Sequence, residues 1–226
     1  MIKAILFDLD GTLYDKKGLP RHLVAHELFH MNLLIRERQA VRRLRGVFCG
    51  DAEGFYSQLC IIISPDNPVR ARKWYFGHYL PVMTRALKRH YRAETWAEPM
   101  LKRLRAQGYK LAVYSDYGSV KERLEAVGLD PALFDVLAAA PELGGLKPAL
   151  ECAGQLLDLL GVRPEEALLV GDRQDTDGTT ARRMGMEFEF VDRTKPEVVF
   201  RNPILQHAQR QRPLQGSDPG ARHVRT

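Results

Sequence analysis

The sequence predicts an α/β fold: a doubly wound, Rossmann-like parallel sheet into which a mainly helical cap domain is inserted. Three observations predict it. Short apolar runs at residues 2–7, Lys110–Tyr114 and Ala167–Val170 each end abruptly in polar residues, as strands buried on both faces do. Helical patterns alternate with them and are stopped by Gly108, Gly128 and Gly161. Between the first and second of these runs, residues 16–92 break the alternation and carry a different charge.

The first strand, Ile-Lys-Ala-Ile-Leu-Phe, runs into Asp8-Leu9-Asp10-Gly11-Thr12, a polar turn. The second ends in Ser115-Asp116 and the third in Gly171-Asp172, with Phe188–Val191 as the last strand. The helical patterns are Met100–Gln107, Ser119–Val127 and Ala149–Leu160, and Ser119-Val-Lys-Glu122 has the spacing of a capping box. Within residues 16–92, Leu23–Leu34 and Val69–His90 have helical spacing, and only Leu59–Ile63 reads as a strand. The expected organisation is therefore an α/β core from residues 1–15 and 93–200, a helical cap over 16–92, and a flexible tail over 201–226, where Gln, Arg, Pro and Gly replace large apolar residues.

The chain has 226 residues, 45% of them hydrophobic and 27% charged, enough for a globular core and too apolar for disorder throughout. Cys49, Cys60 and Cys152 are odd in number and unclustered, which argues against a disulfide framework or a thiolate zinc site and for a reducing cytoplasm. The apolar run before Asp8 is too short for a signal segment, and no stretch approaches a membrane span. The net charge of +6 is unevenly spread: residues 16–92 have 15 Lys/Arg against 5 Asp/Glu, whereas the core segments have 14 against 22. A basic insertion over an acidic core points to attraction of a small anionic substrate. No nucleic-acid partner is expected, because the basic run Arg36–Arg45 lacks interleaved aromatic residues.

In open parallel sheets, ligands bind beyond the carboxyl ends of the strands. Asp8, Asp10, Ser115 and Asp172 stand at those ends, and Lys147 precedes a proline at a helix start. Three convergent carboxylates repel one another unless a cation lies among them, and an all-oxygen set suits Mg²⁺. A carboxylate beside Mg²⁺ can attack phosphorus, and a second carboxylate can protonate the leaving oxygen and then activate water.

Taken in order, Asp8-Leu9-Asp10-Gly11-Thr12-Leu13, Ser115, Lys147-Pro148 and Gly171-Asp172 with Asp175 and Asp177 resemble the four motifs of the haloacid dehalogenase superfamily. The resemblance implies that Asp8 is the nucleophile, Asp10 the general acid/base and Thr12 a support for the first loop. It implies Ser115 and Lys147 as phosphate ligands, with Asp116 beside them where Asn is common. Mg²⁺ would be held by Asp8, the Asp10 carbonyl and Asp172, with Asp177, or alternatively Asp175, orienting metal-bound water. Residues 16–92 would be the type-1 cap.

The activity so implied is that of a Mg²⁺-dependent phosphatase hydrolysing a small phosphate monoester through an aspartyl-phosphate. A phosphomutase shares every core residue and is the alternative. The 2-haloacid dehalogenases need neither the second Asp nor Mg²⁺, so Asp10 favours phosphoryl chemistry. A remote alternative is a zinc peptidase, because His26-Glu27-Leu28-Phe29-His30 fits H-E-x-x-H, with Glu53 as a third ligand. Leu33 and Arg36 stand where the extended zinc motif needs Gly and His, and His22, His26 and His30 also fit one face of an amphipathic helix.

Overall fold

The computed structural model describes residues 1–195 and 197–210. Five strands, β1 (Ala4–Phe7), β2 (Lys110–Ser115), β3 (Val136–Ala139), β4 (Ala167–Gly171) and β5 (Glu187–Phe190), form one all-parallel sheet in the order β3-β2-β1-β4-β5. β1 is central, pairing Phe7 with Val113 on one side and Val170 on the other. Both of its faces are covered, and every residue of β1 and β4 is buried, which explains their unbroken apolar sequences. β3 escapes a pattern reading because Val-Leu-Ala-Ala is short and half alanine.

The crossover helices are α6 (Ala97–Ala106), α7 (Val120–Val127), α8 (Leu150–Leu160) and α9 (Thr179–Met184). Ser119 does not cap α7 through its side chain; its φ of 55° places it in the left-handed region, so the capping box expected at Ser119 is not formed.

Between β1 and β2 lie α1 (Leu19–His26), α2 (Met31–Leu44), α3 (Ala52–Ile63), α4 (Pro68–Trp74) and α5 (Leu80–His90), with no strand among them. The strand expected at Leu59–Ile63 is the end of α3. Asp51 caps that helix by accepting from Gly54 N at 2.8 Å, and Phe55, Leu59 and Ile63, four residues apart, bury one face. The helix expected over Leu23–Leu34 breaks at Glu27 and resumes as α2 after the 3₁₀ turn Leu28–His30. α4 and α5 continue through a π-helical turn, Tyr75–Tyr79, and α5 lies against α7 of the core.

The expectation of flexibility over 201–226 meets a difference in its first part. Pro203–Arg210 forms helix α10, which lies against α6, buries Leu205 and Ala208, and receives a hydrogen bond from Arg103 Nη1 to the Ala208 carbonyl at 2.5 Å. Those two residues sit three apart on one helical face, apolar area enough to anchor a short helix. Residues 211–226 lie outside the described residues. Among the described residues no helix is long and apolar enough to cross a membrane.

Candidate active site

β1 and β4 stop side by side, and the residues that follow them meet. Asp8 N still donates to the Val170 carbonyl at 2.9 Å, which fixes the first turn of the loop against β4. Gly11 has φ +90°, and a Cβ there would lie 2.2 Å from Asp172 Oδ2, so only glycine lets the two loops touch. Gly171 serves the same close approach, since its Cβ would lie 2.4 Å from Asp177 Oδ2.

Lys147 is the centre of the cluster. Its Nζ donates to Asp8 Oδ1 at 2.7 Å, to Asp177 Oδ1 at 2.6 Å and to the Tyr114 carbonyl at 3.0 Å, using all three of its protons. The other Asp8 oxygen accepts from Thr12 Oγ1 at 3.1 Å. Burial opposes the Lys147 charge, but Asp177, Asp8 and Asp116 outweigh it and hold the ammonium well above the ordinary lysine range. Burial pushes the Asp8, Asp177 and Asp172 carboxyls up, with Lys147 offsetting part of the rise at each.

Asp8, Asp172 and Asp177 offer carboxylate oxygens within 4.8 Å of one another. Asp172 Oδ2 pairs with Lys16 Nζ at 2.7 Å, and the same ammonium donates to the Asp10 carbonyl at 2.7 Å. Asp172 Oδ1 is buried without a partner. An orphaned carboxylate oxygen in an all-oxygen donor set, with a cationic side chain already bridging two of its members, fits a hard divalent cation.

Asp10 belongs to a second network. Its Oδ1 accepts short hydrogen bonds from Arg123 Nη2 and Tyr14 OH, and its Oδ2 accepts from Ser115 Oγ at 3.3 Å. Arg123 also donates to Ser115 Oγ at 3.0 Å and is fully buried. Burial alone would raise the Asp10 carboxyl, but the charge and hydrogen bonds of Arg123, with the Tyr14 bond, hold it below the ordinary carboxylate range.

Of the residues singled out by sequence, Asp8, Asp10, Thr12, Ser115, Lys147, Asp172 and Asp177 are thus joined by direct contacts or by Lys147 and Lys16. Asp116 turns aside: its Oδ1 accepts from Lys147 N at 2.9 Å and so fixes the lysine's loop. Asp175 is half exposed and paired with Arg173 and Arg45, away from Lys147, whereas Asp177 is buried on it. Arg123, Tyr14 and Lys16 were not anticipated. Arg123 carried a signal, because it falls on the apolar stripe of Val120, Leu124 and Val127, where a charge has to be buried and paired.

Above these loops a cavity of about 420 Å³ opens between the sheet and the helical insertion, and its walls include Asp10, Lys16, Lys17, Arg38, Tyr79 and Arg173. Four of these six are cations. Of the run Arg36–Arg45, Arg38 reaches this wall, while Arg45 pairs with Asp175.

The zinc-peptidase alternative loses its geometry. Glu27 is no longer helical, so His26 and His30 do not share one helical face. Glu53 is committed to Arg72 at 2.8 and 3.0 Å, and His22 stacks on His90 at 4.0 Å.

The chain is similar to known hydrolases and phosphatases. The family model for haloacid dehalogenase-like hydrolases matches residues 2–185. The glyceraldehyde 3-phosphate phosphatase of Methanocaldococcus jannaschii is 30% identical over 199 residues, covering 82% of this chain and 83% of that protein. The phosphoglycolate phosphatase of Rhodospirillum rubrum is 30% identical over 193 residues, covering 82% and 78%. In fold, the crystal structure of a HAD phosphatase from Thermococcus onnurineus matches with a TM-score of 0.60 at 22% identity, over 87% of this chain and 89% of that one.

Proposed function

The chain belongs to the haloacid dehalogenase-like hydrolases and its relatives named above are phosphatases, and from that premise we propose that it is a Mg²⁺-dependent phosphatase using Asp8 as nucleophile. One observation carries the reading: the Lys147 ammonium joins Asp8 to Asp177 beside the unpaired Asp172 oxygen, while Asp10 of the same loop lines a cavity with Lys16, Lys17, Arg38 and Arg173 in its wall. The relatives named above act, by their names, on phosphoesters of two or three carbons, and a cavity of about 420 Å³ suits a small phosphate monoester in a reducing cytoplasm.

Thr12 and Lys147 hold one oxygen of Asp8 each, so the carboxylate is oriented before substrate arrives. In the proposed first step an Asp8 oxygen bonds to phosphorus, the ester P–O bond breaks, and the leaving oxygen takes a proton from Asp10. In the second, Asp10 takes a proton from water as that water attacks phosphorus, releasing inorganic phosphate and restoring the Asp8 carboxylate. Asp10 is held ionised by Arg123 before substrate enters, so its first role requires it to take up a proton from solvent as it exchanges that contact for the leaving oxygen.

Asp8, the Asp10 carbonyl and Asp172 would hold Mg²⁺, which when bound would supply neutralisation of charge on the transferring phosphoryl group. Lys147 and Ser115 add fixed donors around it, and Lys16 would turn from Asp172 toward the substrate. Asp177 orients Lys147 from behind, and Asp116 secures the backbone of the same residue.

The test is phosphate release from a panel of phosphorylated sugars, glycerols, nucleotides and short organic acids, with and without Mg²⁺. Chelation should abolish release and Mg²⁺ should restore it. Absence of Mg²⁺-stimulated hydrolysis across the panel would refute the reading.

A further inference from the structure

Where α1 ends, Glu27 leaves helical geometry with φ −109°, and the 3₁₀ turn Leu28–His30 brings the His30 ring back over its side chain. From the facing segment, the π-helical turn Tyr75–Tyr79 presents His78. π-Turns inside helices recur at functional sites because the extra residue re-aims a side chain.

The Glu27 carboxylate is completely buried. His30 Nδ1 lies 3.6 Å from its Oε2 and His78 Nε2 lies 3.2 Å from its Oε1, and ligand atoms of all three residues fall within 4.8 Å of one another. The two imidazole rings are 4.7 Å apart at 54°. Trp74 Nε1 donates to Glu27 Oε2 at 3.1 Å, which fixes the carboxylate and leaves Oε1 free. Glu27 Oε1 and His78 Nε2 are both buried and neither makes a hydrogen bond, although they face each other. Leaving such atoms unmatched is unfavourable, and a cation accepted by both removes the penalty.

We propose that Glu27, His30 and His78 form a binding site for a divalent transition-metal ion, zinc by donor chemistry, separate from the acidic cluster at the end of the sheet. Bonds of about 2.0–2.2 Å from zinc to nitrogen and oxygen give tetrahedral ligand-to-ligand edges of roughly 3.3 Å. The Glu27 Oε1–His78 Nε2 separation of 3.2 Å is close to that edge, and a ligand atom of His30 lies within 4.8 Å of those of the other two. Two imidazoles and one carboxylate suit zinc, whereas Mg²⁺ takes oxygen ligands and is drawn to Asp8, Asp172 and Asp177 instead. Both histidine side chains are about a third exposed, so water can complete the shell and the ion can enter from solvent.

The indole of Trp74 acts as an outer-shell donor orienting the ligating carboxylate. The same indole stacks on Tyr79 at 5.1 Å and 26°, and Tyr79 lines the cavity above Asp10. A bound ion would tie the α1–α2 junction to the π-turn and so brace that wall. It is a structural site, and no hydrolytic step is assigned to it.

The test is a titration of chelator-treated full-length protein with Co²⁺, whose visible absorption is intense when tetrahedral and weak when six-coordinate. One equivalent should give the intense band, Zn²⁺ should displace it, and Zn²⁺ should raise the Tm. His78→Ala and His30→Ala should abolish the band and the Tm increment, weakening Zn²⁺ binding by more than the roughly tenfold to hundredfold typical of outer-shell changes. Asp172→Asn should keep both. Because His30 is partly exposed, its variant decides the matter if the His78 variant fails to fold by circular dichroism. Only a weak six-coordinate spectrum in the parent protein, or an unchanged band in folded His30→Ala, would overturn the proposal and leave an ordinary histidine–carboxylate contact.

Discussion

At the end of the sheet, Asp8 and Asp177 each lie within 2.7 Å of the Lys147 ammonium; in the helical insertion, Glu37 is just as buried and neither of its oxygens finds a hydrogen-bond donor. At the end of the sheet each of these carboxylates has a cation close by: Lys147 for Asp8 and Asp177, Arg123 for Asp10, Lys16 for Asp172. In the insertion, Glu37 has only Arg38 Nε at 3.5 Å, and Glu27 only an indole and two histidines. The core sets fixed cations beside its carboxylates where a phosphoryl group and a metal would need them, and Lys147 and Lys16 offset part of the rise that burial imposes. The insertion holds carboxyl groups that a proton, or a metal ion shared with imidazoles, would satisfy.

The largest effect that would sharpen the contrast is at the nucleophile. Asp8→Asn keeps the side-chain shape and removes the attacking charge, so phosphate release should fall roughly a thousandfold or more, about 4 kcal/mol of barrier. Asp10→Asn should fall nearly as far. More than about a tenth of parent turnover in folded Asp8→Asn would break the account.

Arg123 comes next. Arg123→Met leaves Asp10 buried without its cation, and should lower stability by about 3 kcal/mol or more. Since Arg123 holds the Asp10 carboxyl down, its loss raises that carboxyl, and because Asp10 acts first as a proton donor, the basic limb of the kcat/KM profile should move to higher pH. An unmoved limb would show that Asp10 does not set it.

Glu37 provides the converse test. Burial, opposed by Arg38, pushes its carboxyl up from 4.5 to about 7. The folded protein therefore binds more protons than the unfolded chain between these values, so stability should decline as pH rises through that window and level off above it. A shift of this size corresponds to about 3 kcal/mol. Glu37→Gln should remove the decline and be the more stable protein above about pH 8, as read by denaturant unfolding. A parent whose stability rises over the same window would break the comparison.

How legible these regions are from sequence differs for a physical reason. A buried parallel strand is an apolar run that ends in a polar turn, and parallel topology brings all such ends to one edge, so Asp8, Ser115 and Asp172 are legible in the sequence, whereas Lys147 follows the unrecognised β3 and is reached only through the family resemblance. Asp177 over Asp175 needed the structure, because only the turn of the chain after β4 decides which carboxylate meets Lys147. In the insertion, helical periodicity gives the elements but not which faces cross. Nothing local says that Glu27 meets His78, or that the helix breaks at Glu27, where neither Gly nor Pro stands. Helix α10 is hidden in a polar segment because few apolar residues, Leu205 and Ala208 with partly buried Ile204, mark its packed face.

The smallest expected effect concerns encounter. With Lys17 and Arg38 on the cavity wall, kcat/KM should fall severalfold from low salt to about 0.15 M while kcat hardly changes. Replacing both with Gln should flatten that dependence. A parent enzyme with a flat salt profile would leave the basic insertion as a cover for the site, without a steering role.

The central claim, that Asp8 itself carries the phosphoryl group, is tested most directly by acid-quenching the enzyme during turnover and measuring peptide masses. The account predicts a phosphoryl adduct on the peptide containing Asp8, lost in Asp8→Asn and accumulating in Asp10→Asn if dephosphorylation is slowed more than formation. Full turnover with no adduct on that peptide, or an adduct that persists in Asp8→Asn, would contradict it.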